Sequence, residues 1–274
     1  MATAVLDYIL GSSSLRDLQN LDVGTDMSKR TKILQIYHDT DSSSPREWDN
    51  LGTMACWHDR YNLGDIQPDG NPEQFITSLT DDYDSSFIDG IDAYFDELHD
   101  KGTPREEVVA MVRQHREKHF NKHYFSLGLH LYDHGQITIS TSRFNCPWDS
   151  GQVGFIFVPR TVAEKELNPD GKSFPQIRNT PMGGREFESL EDLVHFYLRS
   201  EVEVYDQYLR GETYGFVLLD ANGEEEDACW GFIGSNWRTN GIADNVDLSE
   251  VKEVHHMESR THTILQAVEV EVLT

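Results

Sequence analysis

The chain has 274 residues, 38% hydrophobic and 11% aromatic, enough for one large packed domain or two small ones, so a packed core is expected. Its formal net charge is −25, and 20 of its 48 acids but 5 of its 23 bases fall in residues 186–274. Such a surface repels nucleic acid and anionic membrane and attracts basic protein surfaces. No apolar run is long enough for a membrane span, and the N-terminus lacks the basic-then-apolar order of a signal peptide.

In chain order, residues 1–30 are polar and Ser-rich, and 31–274 read as a single domain. Lys32 to His38 predicts a first strand. Ser44 caps a short helix opened by Pro45-Arg46-Glu47. Asn71-Pro72-Glu73-Gln74 is a capping signature for a helix to about Leu79. Phe87, Ile91, Tyr94, Phe95 and Leu98 share one helical face, opposite Asp89, Asp92 and Asp96. Thr103-Pro104 starts another helix, with Val108, Met111, Val112, His115 and His119 on one stripe; Phe120 to His123 then begins a strand.

Tyr124 to Tyr132 and Gln136 to Thr141 predict a hairpin around Asp133-His134-Gly135, and Gln152 to Val158 a buried strand. Residues 166–185 read as a loop, with a possible sub-boundary near 166–187. Ser189 and Asp192 frame the longest helix, which Gly211 ends. A second hairpin joins Tyr214–Leu219 to Cys229–Ile233 around Asn222-Gly223. A helix near Leu248 to Met257 and a strand near Thr263 to Val272 close the chain. Antiparallel hairpins with helices between them predict an α+β fold of antiparallel sheets and packed helices.

Three candidate chemistries arise. Asp39, Asp41, Asp49, His58 and Asp149 are the side chains a metal-assisted hydrolase of a nucleotide or phosphoester would use, but no ordered metal-ligand motif accompanies them. His115, His119 and His123 have four-residue spacing, which the expected strand at His123 would break. Cys56, Cys146 and Cys229 are odd in number and far apart, and read as reduced, mostly buried cytosolic thiols; neither metal nor cofactor is expected. Trp148-Asp149-Ser150-Gly151 predicts a tight turn with Gly151 at positive φ. Trp48, Trp57 and Trp148 have Gly, Leu, Cys and Val neighbours and are expected to be largely buried. The acidic sets Asp82, Asp89, Asp92, Asp96, Asp100 and Glu224, Glu225, Glu226, Asp227 are candidate partner-binding surfaces. Helical neighbours about 5–6 Å apart match successive phosphates in scale.

The segments S-P-R-E-W-D-N-L-G (44–52), R-Y-N-L-G-D (60–65), C-P-W-D-S-G-Q-V-G-F-I (146–156), E-V-E-V-Y-D-Q-Y-L (201–209) and C-W-G-F (229–232) together resemble a family of bacteriophage and mobile-plasmid proteins. The resemblance implies an accessory protein of the bacterial cytoplasm and carries no assigned activity. The expectation is a binding protein that engages a host protein. The host protein in view is a nucleic-acid-binding defence enzyme such as a restriction nuclease, occluded by a DNA-mimicking acidic surface, with neither nucleic acid nor membrane bound directly. The alternatives are the hydrolase and a virion structural or assembly protein.

Overall fold

Two mostly antiparallel sheets and their packed helices make an α+β fold. The structure, a computed structural model, describes residues 30–81, 86–168, 187–257 and 267–273. The first sheet has the order β7-β6-β1-β8-β9, from β1 (Lys32–His38), β6 (Thr213–Leu219), β7 (Glu225–Ile233), β8 (Val251–Met257) and β9 (Ala267–Val272). The second has the order β2-β5-β3-β4, from β2 (Thr53–Cys56), β3 (Tyr124–Asp133), β4 (Ile137–Ser140) and β5 (Ser150–Pro159).

The second sheet lies between helices. The long α5 (Leu190–Leu209) sets Leu193, Val194, Leu198, Val202 and Tyr205 against Leu129, Ile139, Ile156 and Val158. On the other face α1 (Pro72–Asp81) and α3 (Arg105–His123) bring Phe75, Ile76, Leu79 and Phe120 against Phe155 and Phe157. Coverage on both faces explains why Val153 to Val158 is buried without alternation. Helix α2 (Ser86–Asp100) packs on α3 through Leu98, Val108 and Val112, and the short α4 (Arg160–Leu167) follows β5 directly. In the first sheet, Leu34, Ile36, Phe216 and Leu218 meet Trp237, Ile242 and Val246. Val204 and Tyr208 of α5 pack with Ile233 of β7 and with Trp48, joining the helix to the first sheet.

Local chemistry sets the element ends. Asn71 Oδ1 accepts the Gln74 amide while Gln74 Oε1 accepts the Asn71 amide, a reciprocal cap. Ser189 caps α5 by accepting the Asp192 amide, and Gly211 at φ 74° follows its end. The two edge strands of the first sheet carry exposed acids: Glu225, Glu226 and Asp227 on β7, and Glu269 on β9. Charged edges resist strand addition by a second chain.

Three sequence expectations fail here. Residues 251–257 form a strand, paired in parallel with β1. Their helix-like three-residue spacing comes from a register shift: Lys32 pairs with Val251 but Ile33 with Glu253, so Val251 and Val254 enter the same core. Helix α3 continues through His123, and the strand starts at Tyr124, whose amide still bonds the Phe120 carbonyl. Gly151 lies within β5 and is absent from the positive-φ glycines. The expected loop at 166–185 falls largely outside the described residues, as do residues 1–29.

Close approach explains Gly154 of a dense segment and Gly215 opposite another. A Cβ on Gly154 would lie 2.0 Å from the Ala55 carbonyl oxygen of β2. A Cβ on Gly215 would meet the Trp230 ring at 2.1 Å, because Gly215 and Trp230 pair across β6 and β7. Gly154→Ala must displace backbone, so urea unfolding should show a loss of about 1–3 kcal/mol. An unchanged midpoint would mean that β2 shifts freely.

Candidate functional site

Three of the dense segments meet at one buried guanidinium. Arg46, held at the Ser44-capped turn, bonds both Asp65 oxygens at 2.8 and 2.7 Å, Glu201 Oε2 at 3.0 Å and the Gly52 carbonyl at 2.6 Å. The Arg46 side chain is 5% exposed and Glu201 3%. Glu201 Oε1 accepts the Leu51 amide at 2.7 Å, and Asp65 Oδ2 accepts the Met54 amide at 2.6 Å. Tyr205, one turn beyond Glu201, donates no charge but accepts the Gly64 amide at 3.0 Å. Burial pushes the Glu201 carboxyl above its ordinary range, while Arg46 and the Leu51 and Gly52 amides oppose that shift. This network is structural. The sequence carried a signal for it: Glu201 lies three or four residues from Tyr197, Leu198, Val204 and Tyr205, on the inward face of α5. A charge on such a face requires a buried partner.

Cys56 lies beside this network. Burial, followed by the Asp65 charge, pushes its thiol up to about 12, with Arg46 opposing. Cys146 is half-buried and Cys229 exposed, so the expectation of mostly buried thiols holds for Cys56 alone. In native protein, iodoacetamide should label Cys229 readily and Cys56 only on unfolding, since the thiolate is the reactive form. Native labelling of Cys56 at a comparable rate would contradict the buried placement.

The two tryptophan segments line one cleft. Trp57 to Arg60 form one side, Trp148 to Val153 the other, with Leu131 and Asp133 between, enclosing about 600 Å³. Trp48 and Trp57 are half-buried, and the Trp57 indole N–H donates to the Gly70 carbonyl at 3.0 Å. Trp148 is 91% exposed, against the expectation of burial. The Pro147–Asp149 turn, held by Ser150 Oγ donating to the Cys146 carbonyl, turns its indole outward. Asp133 accepts from Arg60 and from the Tyr61 hydroxyl, and His134 Nδ1 lies 3.2 Å from Asp149.

Of the hydrolase candidates, His58 and Asp149 come together in this cleft. His58 Nδ1 is occupied by the Arg60 and Tyr61 amides at 3.1 and 3.2 Å. Asp39 and Asp41 belong to a turn elsewhere, where Asp39 Oδ1 accepts the Asp41 amide, and Asp49 is exposed beside the Arg46 turn. Among the described residues no three His, Cys, Asp or Glu side chains are placed to hold a metal ion. His119 and His123 touch at 5.1 Å between ring centres, whereas His115 packs at a tilt against Tyr94.

The acidic sets are placed as follows. Glu224 to Asp227 are all exposed; Glu226 pairs with Lys32 at 2.7 Å. Asp96 and Asp100 are exposed on α2. Asp89 and Asp92 lie on the same helix, but their side chains fall outside the described residues, as does Asp82 altogether. No helix among the described residues is long and apolar enough to cross a membrane. No family model, no curated protein and no solved structure matches the chain.

On the far side of Trp57, Glu73 of α1 receives Arg113 at 2.8 Å and Arg116 at 3.1 Å from α3. The Arg113 hydrogen bond holds the Glu73 carboxyl below its ordinary range, with Arg116 adding to it against desolvation. A lowered folded-state value contributes stability above the unfolded value of about 4.3 and loses it as pH falls through the folded one. Glu73→Gln should therefore cost about 1 kcal/mol or less at pH 7, given the exposure of the pair. The difference from wild type should shrink in urea titrations as pH falls below the unfolded value of about 4.3 and vanish once the folded carboxyl is protonated. A difference that does not shrink with falling pH would assign the effect to packing.

Proposed function

We propose that this chain is a binding protein which engages a basic surface on a partner protein. The observation that carries this reading is the division of its charges. The carboxylates the fold depends on, Asp65 and Glu201, are bonded around Arg46 inside the molecule. The acids at Glu224, Glu225, Asp227, Asp96 and Asp100 stand exposed, outside the buried core. A surplus of this kind steers association with a basic partner. Trp148 supports the same reading, because an indole left in water is the residue type that most often anchors an interface.

The resemblance of the dense segments to bacteriophage and plasmid proteins supports a partner from a bacterial host. A nucleic-acid-binding defence enzyme fits, since its groove is basic and the acidic face would occupy it in place of DNA. The hydrolase reading has less support, because Asp39, Asp41, Asp49 and His58 are dispersed and two of them are committed to local turns.

The test begins with capture of a partner from bacterial lysate on immobilised protein, then binding kinetics on the purified pair. Affinity should fall by about tenfold or more between 50 and 500 mM salt, as exposed charges are screened over about 8 Å or less. Glu224→Lys, Glu225→Lys and Asp227→Lys together should slow association while leaving the urea midpoint unchanged. A salt-insensitive complex, or one unaffected by the reversal, would contradict the proposal.

A further inference from the structure

The second sheet is not covered evenly on its α3 face. Aromatic side chains from α1 and α3 cover the Phe155 and Phe157 half. The rest of that face, at Ser126, Gly128, Gln152 and Gly154, is the floor of a groove of about 500 Å³. Trp57 forms one wall, and Arg113, Arg116 and Asn121 of α3 the other. The floor is low because of Gly128: a Cβ there would come within 3.3 Å of Gln152 Nε2 and 3.6 Å of His130 Nε2.

The groove combines two kinds of surface. Trp57 and Phe155 supply flat apolar area, their rings 5.8 Å apart, and the Gly70 carbonyl fixes the Trp57 indole in place. Arg113 and Arg116 supply guanidinium donors, yet both turn to one carboxylate, Glu73; Glu117 lies exposed nearby. The Arg116 side chain is 18% exposed, and its Nε–H is buried with no partner among the described residues. That Nε–H is closed to the groove, so the groups that can meet a ligand there are the terminal N–H donors of Arg113 and Arg116, which now share Glu73. A planar guanidinium suits a carboxylate or phosphate better than any other acceptor. The volume is that of a small-molecule site, with Trp57, Ile76, Phe120 and Phe155 as its apolar lining and charged groups at Glu73, Arg113, Arg116 and Glu117.

We propose that this groove binds a small molecule in which an oxyanion is joined to a planar ring, the oxyanion meeting Arg116 and Arg113 and the ring lying against Trp57. The oxyanion is a phosphate, as in a nucleotide, or a carboxylate, as in an aromatic acid. This site is separate from the acidic surfaces, so it stands or falls independently of the protein partner.

Calorimetric titration with adenosine monophosphate and with 1-naphthoate separates the two sources, with inorganic phosphate and adenosine as half-ligands of the first and acetate and 1-naphthamide as those of the second. One of the two whole ligands should saturate the protein below about 1 mM, and the matching half-ligands should bind at least about tenfold more weakly. Arg116→Gln should weaken binding about tenfold, and Arg116→Lys should not restore it, because the ammonium lacks the fork. Gly128→Val, which raises the floor, should abolish binding. If that variant unfolds, Asn121→Phe, at an exposed wall position, replaces it. Absence of saturation by both ligands would overturn the proposal, as would a folded groove-filling variant that binds as wild type does.

Discussion

The Arg46 guanidinium, buried between Asp65 and Glu201, is the interaction on which the rest of the structure depends. It sits where the chain leaves β1 of the first sheet for β2 of the second. Glu201 brings α5 to that crossing, and Asp65 brings in the turn after Leu63. Each carboxylate also accepts backbone amides, of Leu51 and Gly52 for one and Met54 for the other, so the start of β2 is fixed to both. Removing such charges from water is costly, and an ion pair of this kind adds less net stability than its contacts suggest. Its effect is to make one arrangement of these loops far better than any other, because every alternative leaves a charge unpaired in the core.

That anchoring has consequences at the surface. β2 pairs with β5 closely enough to require Gly154, and the segment after β2 carries Trp57 and His58 out over the sheet. Trp57 then separates two concavities with different characters. On one side is the cleft beneath the exposed Trp148, lined by Asp59, Asp133 and Asp149 with Arg60. On the other is the groove of Arg113 and Arg116. Gln152 and Val153 line both. A single strand and one indole thus position both concavities.

Much of the fold was legible from local chemistry. The reciprocal Asn71–Gln74 cap, the Ser189 cap, and the turns at Gly135 and Gly223, both at positive φ, mark element ends that depend on few residues. What was not legible depended on distant partners. β8 has the three-residue apolar spacing of a helix and becomes a strand because β1 offers it a bulged register. β2 is four residues long and buried in its last three, with no alternation to reveal it. Trp148 keeps apolar company in sequence, but its turn faces outward, which neighbours along the chain do not determine. The density of Trp, Gly, Asn and Asp around residues 44–65 was visible; its cause, a carboxylate arriving from α5 some 150 residues later, was not.

A double-mutant cycle on Arg46 and Glu201, followed by urea unfolding, tests the central claim most directly. Arg46→Met alone should destabilise by about 3–5 kcal/mol, because Glu201 is left buried and uncompensated. Adding Glu201→Met should recover part of that loss, giving a coupling of about 2–3 kcal/mol. Two small effects that add to within about 0.5 kcal/mol would contradict the account, since independent sites behave in that way.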